Sequence, residues 1–168
     1  MAGLIRNAQL SEDSWRLLDA GAFLRVGESG LIPDFPPGAD VLVPLRLWQC
    51  RRDELLQREG RVGVLVDGAD EPQALADALP HAALIAIRIP VFTDGRAYSL
   101  ARLLRSRFGY AGELRAVGDV LRDQLLYLQR CGFDAFALRA DQDARRALAA
   151  FTELGAAVRR PYAWARAA

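Results

Sequence analysis

The stretch that decides the fold runs from position 62 to position 89 and holds two short apolar segments, VGVLVD (Val62–Asp67) and ALIAIRI (Ala83–Ile89). Two similar segments follow at Leu114–Gly118 and Ala135–Arg139. The four segments start 21, 31 and 21 residues apart, at positions 62, 83, 114 and 135. Short β-branched or apolar runs that alternate with longer stretches of helical period are typical of βα units around a parallel sheet.

The stretches between these strands carry helix signals. Leucine and phenylalanine recur at three- and four-residue steps, as at Leu100, Leu103, Leu104 and Phe108. We predict that one helix begins at Asp70 and ends at Pro80 and that the helix with Leu100–Phe108 ends at Gly109. Two more begin at Asp119 and Asp141 and end at Gly132 and Gly155. The sequence therefore predicts an α/β fold of repeated βα units with a mainly parallel sheet and helices packed on it. Periodicity leaves open whether the sheet is half-barrel-like or open.

The first sixty residues are less regular than the rest. They predict two short strands, a Gly- and Pro-rich loop and one helix, at Ala22–Val26, Val41–Leu45, Gly27–Gly38 and Trp48–Glu59. We expect one domain over residues 1–168, in which 1–60 form an irregular N-terminal extension of the sheet and 61–155 form four βα units. The tail, Arg159–Ala168, is expected to be a strand remnant or coil.

Composition excludes several classes of function. The 168 residues include 22 basic and 21 acidic side chains, for a net charge of +1, so no global field favours nucleic acid or an anionic membrane. All the basic residues are arginine. Without lysine there is no Schiff-base chemistry, no pyridoxal-phosphate site and no Walker phosphate loop.

Cofactor and targeting signals are also missing from the sequence. One histidine and two cysteines, Cys50 and Cys131, cannot alone hold an iron–sulfur cluster or a structural zinc, and no GxGxxG motif follows a predicted strand. We expect no cofactor, no metal, and two reduced, half-buried thiols. No apolar run is long enough to cross a bilayer, and the first residues do not resemble a secretory signal, so we expect a cytoplasmic protein.

In parallel βα folds, ligands collect in the loops that leave the carboxyl ends of the strands. This edge of the sheet is called the rim below. The residues predicted to lie there are Asp67, Asp70, Phe92–Arg96, Asp119 and Arg139. The sole histidine, His81, lies between a predicted helix and the following strand, at the opposite edge, where it is more simply a loop residue than a catalyst.

The segment from Arg88 to Arg115 is the one charge anomaly, because it holds six arginines against Asp94 and Glu113 alone. Arginine binds carboxylates, phosphates and sulfur oxyanions in bidentate fashion, so an anion or an acidic protein surface is one interpretation. The other is that Arg102 and Arg105 line the solvent face of an amphipathic helix, with arginine in the place of lysine.

Two further constellations allow both a chemical and a structural interpretation. Asp119 and Asp123, four residues apart, could form an acid/base or magnesium pair, or could be a helix cap and an intrahelical ion-pair partner. Tyr98 and Ser99 supply hydroxyls beside Arg96, but no histidine is near in sequence to activate the serine. A serine-nucleophile enzyme is therefore not expected.

Three sequence blocks resemble a known family. They read FxDGRxYSxARxLR from Phe92, GYxGExRAxGDVxxDQ from Gly109 and CGFDAF from Cys131, with a weaker VxVPLxxW from Val41. They resemble the bacterial domain-of-unknown-function family 934, whose members carry the labels of sulfite-reduction accessory protein or oxidoreductase. The resemblance implies a role in assimilatory sulfite reduction and carries no established chemistry with it.

These observations give three functional hypotheses. The first is an accessory protein of sulfite reduction that docks to a reductase or its electron donor through the arginine-rich segment. The second is a small enzyme or sensor that binds a sulfur or phosphate oxyanion at the rim, and the third is a flavin- or haem-bearing electron carrier. Open sheet edges would also favour pairing with a second copy. The candidate binding residues are Asp94, Gly95, Arg96, Tyr98, Ser99, Arg102, Arg115, Gly118, Asp119, Asp123 and Gln124.

Overall fold

A computed structural model describes residues 3–18, 24–27, 30–33 and 37–153. The strands in these residues are β1 (Leu4–Arg6), β2 (Gln9–Ser11), β3 (Arg16–Leu17), β4 (Leu24–Gly27), β5 (Gly30–Pro33), β6 (Val41–Pro44), β7 (Val62–Asp67), β8 (Leu84–Ile89), β9 (Glu113–Gly118) and β10 (Ala135–Ala137). The helices are α1 (Leu45–Gln57), α2 (Arg96–Ser106), α3 (Leu125–Arg130) and α4 (Ala144–Ala147). Short 3-10 turns cover Pro72–Leu75, Arg122–Gln124 and Leu148–Phe151. No helix in the described ranges is long and apolar enough to span a bilayer.

The main sheet has eight strands in the order β2-β1-β10-β9-β8-β7-β6-β3. The run from β3 through β6, β7, β8 and β9 to β10 is parallel, while β1 and β2 are antiparallel additions at the β10 edge. The predicted α/β fold with a mainly parallel sheet is confirmed. Of the two topologies left open, the sheet is a curled half-barrel with the helices packed on its outside.

Chain connectivity explains the curl. Seven inter-strand spacings of about 4.8 Å would separate the outer strands of a flat eight-stranded sheet by about 34 Å. The outer strands β2 and β3 are joined by residues 12–15 alone, and a span of five residues from Ser11 to Arg16 reaches at most about 18 Å. The sheet must therefore curl until its two edges approach each other, and the linker crosses its hollow side.

The two faces of the sheet bury different residues. On the outer face, alternate strand residues pack under the helices, among them Val64, Ile85, Ile87, Leu114 and Phe136. On the hollow side a smaller cluster is covered by Trp15 of the linker and comprises Leu42, Leu65, Leu84 and Ala86. Both faces of β7 and β8 thus bury apolar residues, as expected for parallel strands, while the hollow side of β9 carries Glu113 and Arg115.

The predicted strands agree well with the structure, but some predicted helices do not. Strand Val62–Asp67 has the predicted bounds, and the next two strands differ by one residue at their start. The predicted helix after β7 is wrong, because the Asp70 carboxylate accepts a hydrogen bond from the Asp67 amide (2.8 Å) and closes a turn. Only the 3-10 turn Pro72–Leu75 follows it.

The last predicted helix begins two residues later than expected. Asp141 is engaged by Arg139, and the cap of α4 is Asp143, whose carboxylate accepts hydrogen bonds from the amides of Arg145 (2.9 Å) and Arg146 (3.2 Å). The predicted end at Gly155 and the tail Arg159–Ala168 lie outside the described residues. Gly109 and Gly132 do take left-handed conformations after α2 and α3, with φ of 63° and 108°.

The N-terminal predictions are mostly incomplete. The predicted loop Gly27–Gly38 contains β5, which forms a hairpin with β4, and the strands β1, β2 and β3 were not predicted. The predicted strand Ala22–Val26 falls partly outside the described residues, and its described part belongs to β4. Helix α1 starts at Leu45 and not at Trp48, directly after β6.

Candidate functional site

The turns after β8 and β9 lie side by side at the rim. The two strands are parallel and paired up to Ile89 and Gly118, and the amide of Asp119 donates to the Ile89 carbonyl (2.8 Å). Gly118 has φ of 99°, and a Cβ there would overlap the same carbonyl oxygen. Glycine is therefore required where β9 turns towards β8.

Asp119 bridges two neighbouring loops. Its Oδ2 accepts a hydrogen bond from the Phe92 amide (2.7 Å), and its Oδ1 pairs with Nη1 of Arg139 (2.7 Å). Arg139 also binds Asp141 through Nε and Nη2, both at 2.7 Å, and the bonds from Asp141 and Asp119 raise the pKa of Arg139 above its usual value. The predicted helix cap at Asp119 is wrong, because its carboxylate reaches a backbone amide of the preceding βα unit and not those of its own helix.

Gln124 holds the other side of the Phe92 backbone. Its Nε2 donates to the Phe92 carbonyl (3.0 Å) and to Oη of Tyr98 (3.1 Å), while its Oε1 accepts from the Leu121 amide (2.9 Å). The Phe92 side chain itself is 55% exposed. Its neighbour Val91 is exposed as well. An aromatic side chain in open solvent is thus carried by a backbone fixed at both its N–H and its C=O.

The Asp94-Gly95-Arg96 turn is held together internally. Arg96 binds Asp94 through Nε (2.9 Å), Nη2 (2.6 Å) and its amide (3.1 Å), and these bonds lower the pKa of Asp94 to about 2. Gly95 has an ordinary φ of −81° and open space where a Cβ would lie. The arginine of this turn is therefore already paired with a carboxylate.

Helix α2 carries the next candidates outward from the rim. Tyr98 is half-buried against Tyr127 of α3, with ring centroids 5.3 Å apart, and burial raises the pKa of its hydroxyl. Ser99 and Arg102 are exposed on the same helix. His81 lies before β8, at the opposite edge of the sheet from Ser99, where it stacks on Trp48.

Two predicted candidates do not join this group. Arg115 is 1% exposed and lies on the hollow side of the sheet, where it binds Glu113 (2.7 Å) and Asp13 of the linker (2.9 Å). Glu113 in turn pairs with Arg6 of β1 (2.8 Å). Asp123 is exposed in the 3-10 turn before α3, while the Asp119 carboxylate is engaged by Phe92 and Arg139.

The six arginines of the 88–115 segment serve different purposes. Arg105 binds Asp134 and the carbonyls of Tyr110, Gly112 and Gly132, which ties α2 to the loops at the far edge. Arg88 lies 3.7 Å from Asp67 on the neighbouring strand. Arg102 and Arg107 remain on the exposed surface of α2 and its end. The charge anomaly of the sequence is therefore spread over the core, the rim and the outer helix surface.

The described residues form no metal site at the rim. In the described part of the chain, no group of three or more His, Cys, Asp or Glu is placed to hold a metal ion.

Cys50 is exposed and Cys131 buried, so the expectation of two half-buried thiols is wrong, although both are free. An open groove of about 350 Å³ at the far edge is lined by apolar residues such as Leu79 and Phe108, and its Tyr110 hydroxyl donates to the Ala82 carbonyl (3.0 Å).

The sequence interpretation did not identify several residues that form the ion pairs and the exposed apolar and aromatic surface at and near the rim. Arg139 was placed at the rim but not among the binding candidates, Asp141 was predicted only as a helix cap, and Val91 and Tyr127 were not considered. One sequence feature could have indicated an exposed apolar surface at the rim. It is the apolar pair Val91-Phe92, which lies inside a segment that otherwise has the composition of a turn.

Comparison with known proteins gives one family. A family model described as "Bacterial protein of unknown function (DUF934)" matches residues 63–162, which is more than half of the 168 residues and includes the rim turns after β7, β8, β9 and β10. No curated protein and no solved structure matches the chain. The chain belongs to the DUF934 family of bacterial proteins.

Proposed function

We propose that this protein is an accessory protein of assimilatory sulfite reduction that docks to a reductase or its electron donor through the rim. The observation that carries the proposal is the state of Phe92, whose side chain is exposed while its backbone is fixed by Asp119 and Gln124. The chain belongs to the DUF934 family. The choice of sulfite reduction as the pathway follows from the role that the resemblance to this family implies.

A fixed, exposed aromatic residue is suited to binding another protein. Aromatic side chains dominate the energetics of protein interfaces because they bury a large area with few rotatable bonds. Fixing the backbone in advance lowers the conformational entropy lost on association. In the isolated chain about half of Phe92 stays exposed to solvent, so much of its apolar surface remains for a partner to bury.

The charges at the rim favour docking over small-anion chemistry. Arg96 is bound by Asp94, and Arg139 is bound by both Asp119 and Asp141. The carboxylates already neutralise much of the charge of either guanidinium, so a sulfur or phosphate oxyanion gains less attraction there than at an unpaired arginine. A protein partner can instead use the apolar surface of Val91 and Phe92 and leave these ion pairs in place.

The proposal is tested by measuring the affinity of the chain for purified assimilatory sulfite reductase and for its electron donor by biolayer interferometry. Phe92→Ala is expected to weaken binding by about 2 kcal/mol, or roughly 30-fold in Kd, as for an interface hot spot. Leu56→Ala is the control, since Leu56 is also an exposed apolar residue but lies on α1. Absence of binding to both proteins, or equal Kd values for the two variants, would refute the proposal.

A further inference from the structure

The loop that carries Phe92 lies between two other rim loops. Strand β8 pairs with β7 on one side and with β9 on the other, so the loops 67–71 and 118–124 lie on either side of the loop 90–95. These three loops are called the Phe92 surface below. A partner that buries the Phe92 ring would also meet the charges of the loops beside it.

The arginines of the Phe92 surface are all engaged within the chain. Three arginines lie in its loops or within two residues of them. The pairs are Arg88 with Asp67 (3.7 Å), Arg96 with Asp94 (2.6 Å) and Arg122 with Glu153. Arg139, of the loop after β10, is bound by Asp119 and Asp141. In these loops, which the structure describes throughout, no guanidinium is therefore left for a partner.

The carboxylates of the same surface outnumber its arginines. Six carboxylates lie in the three loops, at Asp67, Asp70, Glu71, Asp94, Asp119 and Asp123. With the ion-pair partners Asp141 and Glu153 there are eight carboxylates against four arginines, an excess of four negative charges. Asp70 accepts a hydrogen bond from the Asp67 amide. Glu71 and Asp123 are exposed, and no guanidinium of the described residues pairs with either of them.

Further arginines at this edge of the sheet lie outside the Phe92 surface. Arg46 begins α1 after β6, and Arg145 and Arg146 lie on α4 after β10. Strands β6 and β10 are the next strands beyond β7 and β9, so the loops 67–71 and 118–124 stand between these arginines and Phe92. The excess of negative charge is therefore a property of the three central loops.

Asp123 lies beside the contacts that fix Phe92. Nε2 of the adjacent Gln124 donates to the Phe92 carbonyl and to Oη of Tyr98. Burial raises the pKa of the Tyr98 hydroxyl, and the negative charge of Asp123 adds to the rise. The exposed Asp123 carboxylate is thus within electrostatic reach of the residues that hold the Phe92 backbone.

Glu71 lies on the other side of the Phe92 loop. The loop 67–71 lies against the start of α2, because a Cβ on Gly68 would lie 2.7 Å from the amide nitrogen of Ala97. The 3-10 turn that follows Glu71 also contacts α2. Exposed carboxylates without an arginine partner therefore stand in both loops beside Phe92.

We infer that the partner surface that receives Phe92 is basic and sets lysine or arginine side chains against Glu71 and Asp123. This inference rests on the proposed docking function and names the chemistry of the partner. An interface typically has an apolar centre and a polar border, and Val91 with Phe92 supplies the centre here. A negative border selects a positive surface, accelerates the encounter with it and repels an acidic one. Because Glu71 and Asp123 have no arginine partner, a cation of the partner pairs with them without breaking an ion pair of the chain.

The test neutralises the two carboxylates and measures binding of the full chain to immobilised sulfite reductase and to its electron donor by biolayer interferometry. Glu71→Gln/Asp123→Asn keeps the size of both side chains and is expected to lower the affinity about fivefold at low salt, mostly through the association rate constant. The difference should shrink as salt is raised, because salt screens exposed charges.

Glu12→Gln/Glu59→Gln is the matched control, since it also removes two exposed carboxylates, one from the linker after β2 and one from the chain after α1. It should change the affinity less than about twofold, because both positions lie outside the Phe92 surface. Circular dichroism confirms that both double variants are folded.

Three results would overturn the inference: the same affinity for the wild type and Glu71→Gln/Asp123→Asn at low salt, an equal loss in the control variant, or tighter binding after neutralisation, which would indicate an acidic partner surface. The Phe92→Ala measurement separates this inference from the docking function. If Phe92→Ala weakens binding and neutralisation does not, the chain docks through the rim on a partner surface that is not basic. If neither the reductase nor its donor binds the wild type, the docking function fails and the inference fails with it.

Discussion

The carboxylate of Asp119 accepts a hydrogen bond from the backbone amide of Phe92 at 2.7 Å, across 27 positions of sequence. The same carboxylate binds Arg139 of the next βα unit. Asp119 thus connects the loops after β8, β9 and β10 at one point. The backbone that carries the exposed Phe92 side chain is held by this bond at its N–H and by Nε2 of Gln124 at its carbonyl.

Removing the Asp119 carboxylate should destabilise the fold. Asp119→Ala leaves the Phe92 amide without its acceptor and Arg139 without one of its partners, so we expect the free energy of unfolding to fall by about 1.5–3 kcal/mol, as for hydrogen bonds to charged groups. Asp123→Ala is the control, since Asp123 is exposed four residues later, and should change stability by less than about 0.5 kcal/mol. Urea denaturation measures both, and equal effects would show that Asp119 does not hold the loops.

Gly118 should tolerate no side chain, although Gly95 should. In Gly118→Ala the left-handed φ of 99° and the overlap of Cβ with the Ile89 carbonyl both oppose folding, and we expect a loss of more than about 1 kcal/mol. In Gly95→Ala the φ of −81° suits alanine, so stability should stay constant or rise by about 0.5 kcal/mol. Thermal unfolding separates the two variants. A stable Gly118→Ala protein would mean that the β9 turn can move away from β8.

Arg115 should contribute to stability and not to binding. Arg115→Met keeps an apolar stem but leaves Glu113 and Asp13 without the cation between them, so we expect a loss of about 2–3 kcal/mol. Arg88→Met, on the same face of the adjacent strand, removes an exposed arginine 3.7 Å from Asp67 and should cost less than about 0.5 kcal/mol.

Urea denaturation compares these two variants, and affinity for the sulfite reductase provides a second measurement. If the chain docks as proposed, folded Arg115→Met protein should have the wild-type Kd for the reductase, because the Arg115 guanidinium is buried away from the rim. Weaker binding by a fully folded Arg115→Met protein would return Arg115 to the candidate binding residues.

The parallel strands could be predicted because their signal is local. Val62–Asp67 lies between Arg61 and Gly68 and places apolar side chains on both faces of the sheet, so its limits could be predicted from local sequence alone. The strands β1, β2 and β3 have two or three residues each and exist because they pair with β10, β1 and β6 respectively. Strands this short carry no period of their own, and sequence analysis could not detect them.

The site could be predicted in position but not in its contacts. An aspartate that follows a strand can cap the next helix, as predicted for Asp119, or accept from the amide of a neighbouring loop, as it does. The two cases have the same local sequence and differ only in which amide lies nearer in space. Arg115 was misplaced for a similar reason, since its partner Asp13 is 102 residues away in the chain and meets it only because the sheet curls.

The pH dependence of the Asp94–Arg96 pair follows from its geometry. Three hydrogen bonds from Arg96 lower the pKa of Asp94 from 3.8 to about 2, so the folded state holds this proton less tightly than the unfolded state. The stabilisation is present above the unfolded pKa and is lost as pH falls from about 4 to about 2. Arg96→Ala should therefore be less stable than the wild type at pH 6, and the difference in unfolding free energy should shrink over that window. Carbon-detected NMR of the Asp94 carboxyl should give a midpoint near 2 in the wild type and a higher one in the variant. A midpoint that is the same in both proteins would mean that Arg96 does not bind Asp94 in solution, and the rim would then present a free guanidinium to an anionic ligand.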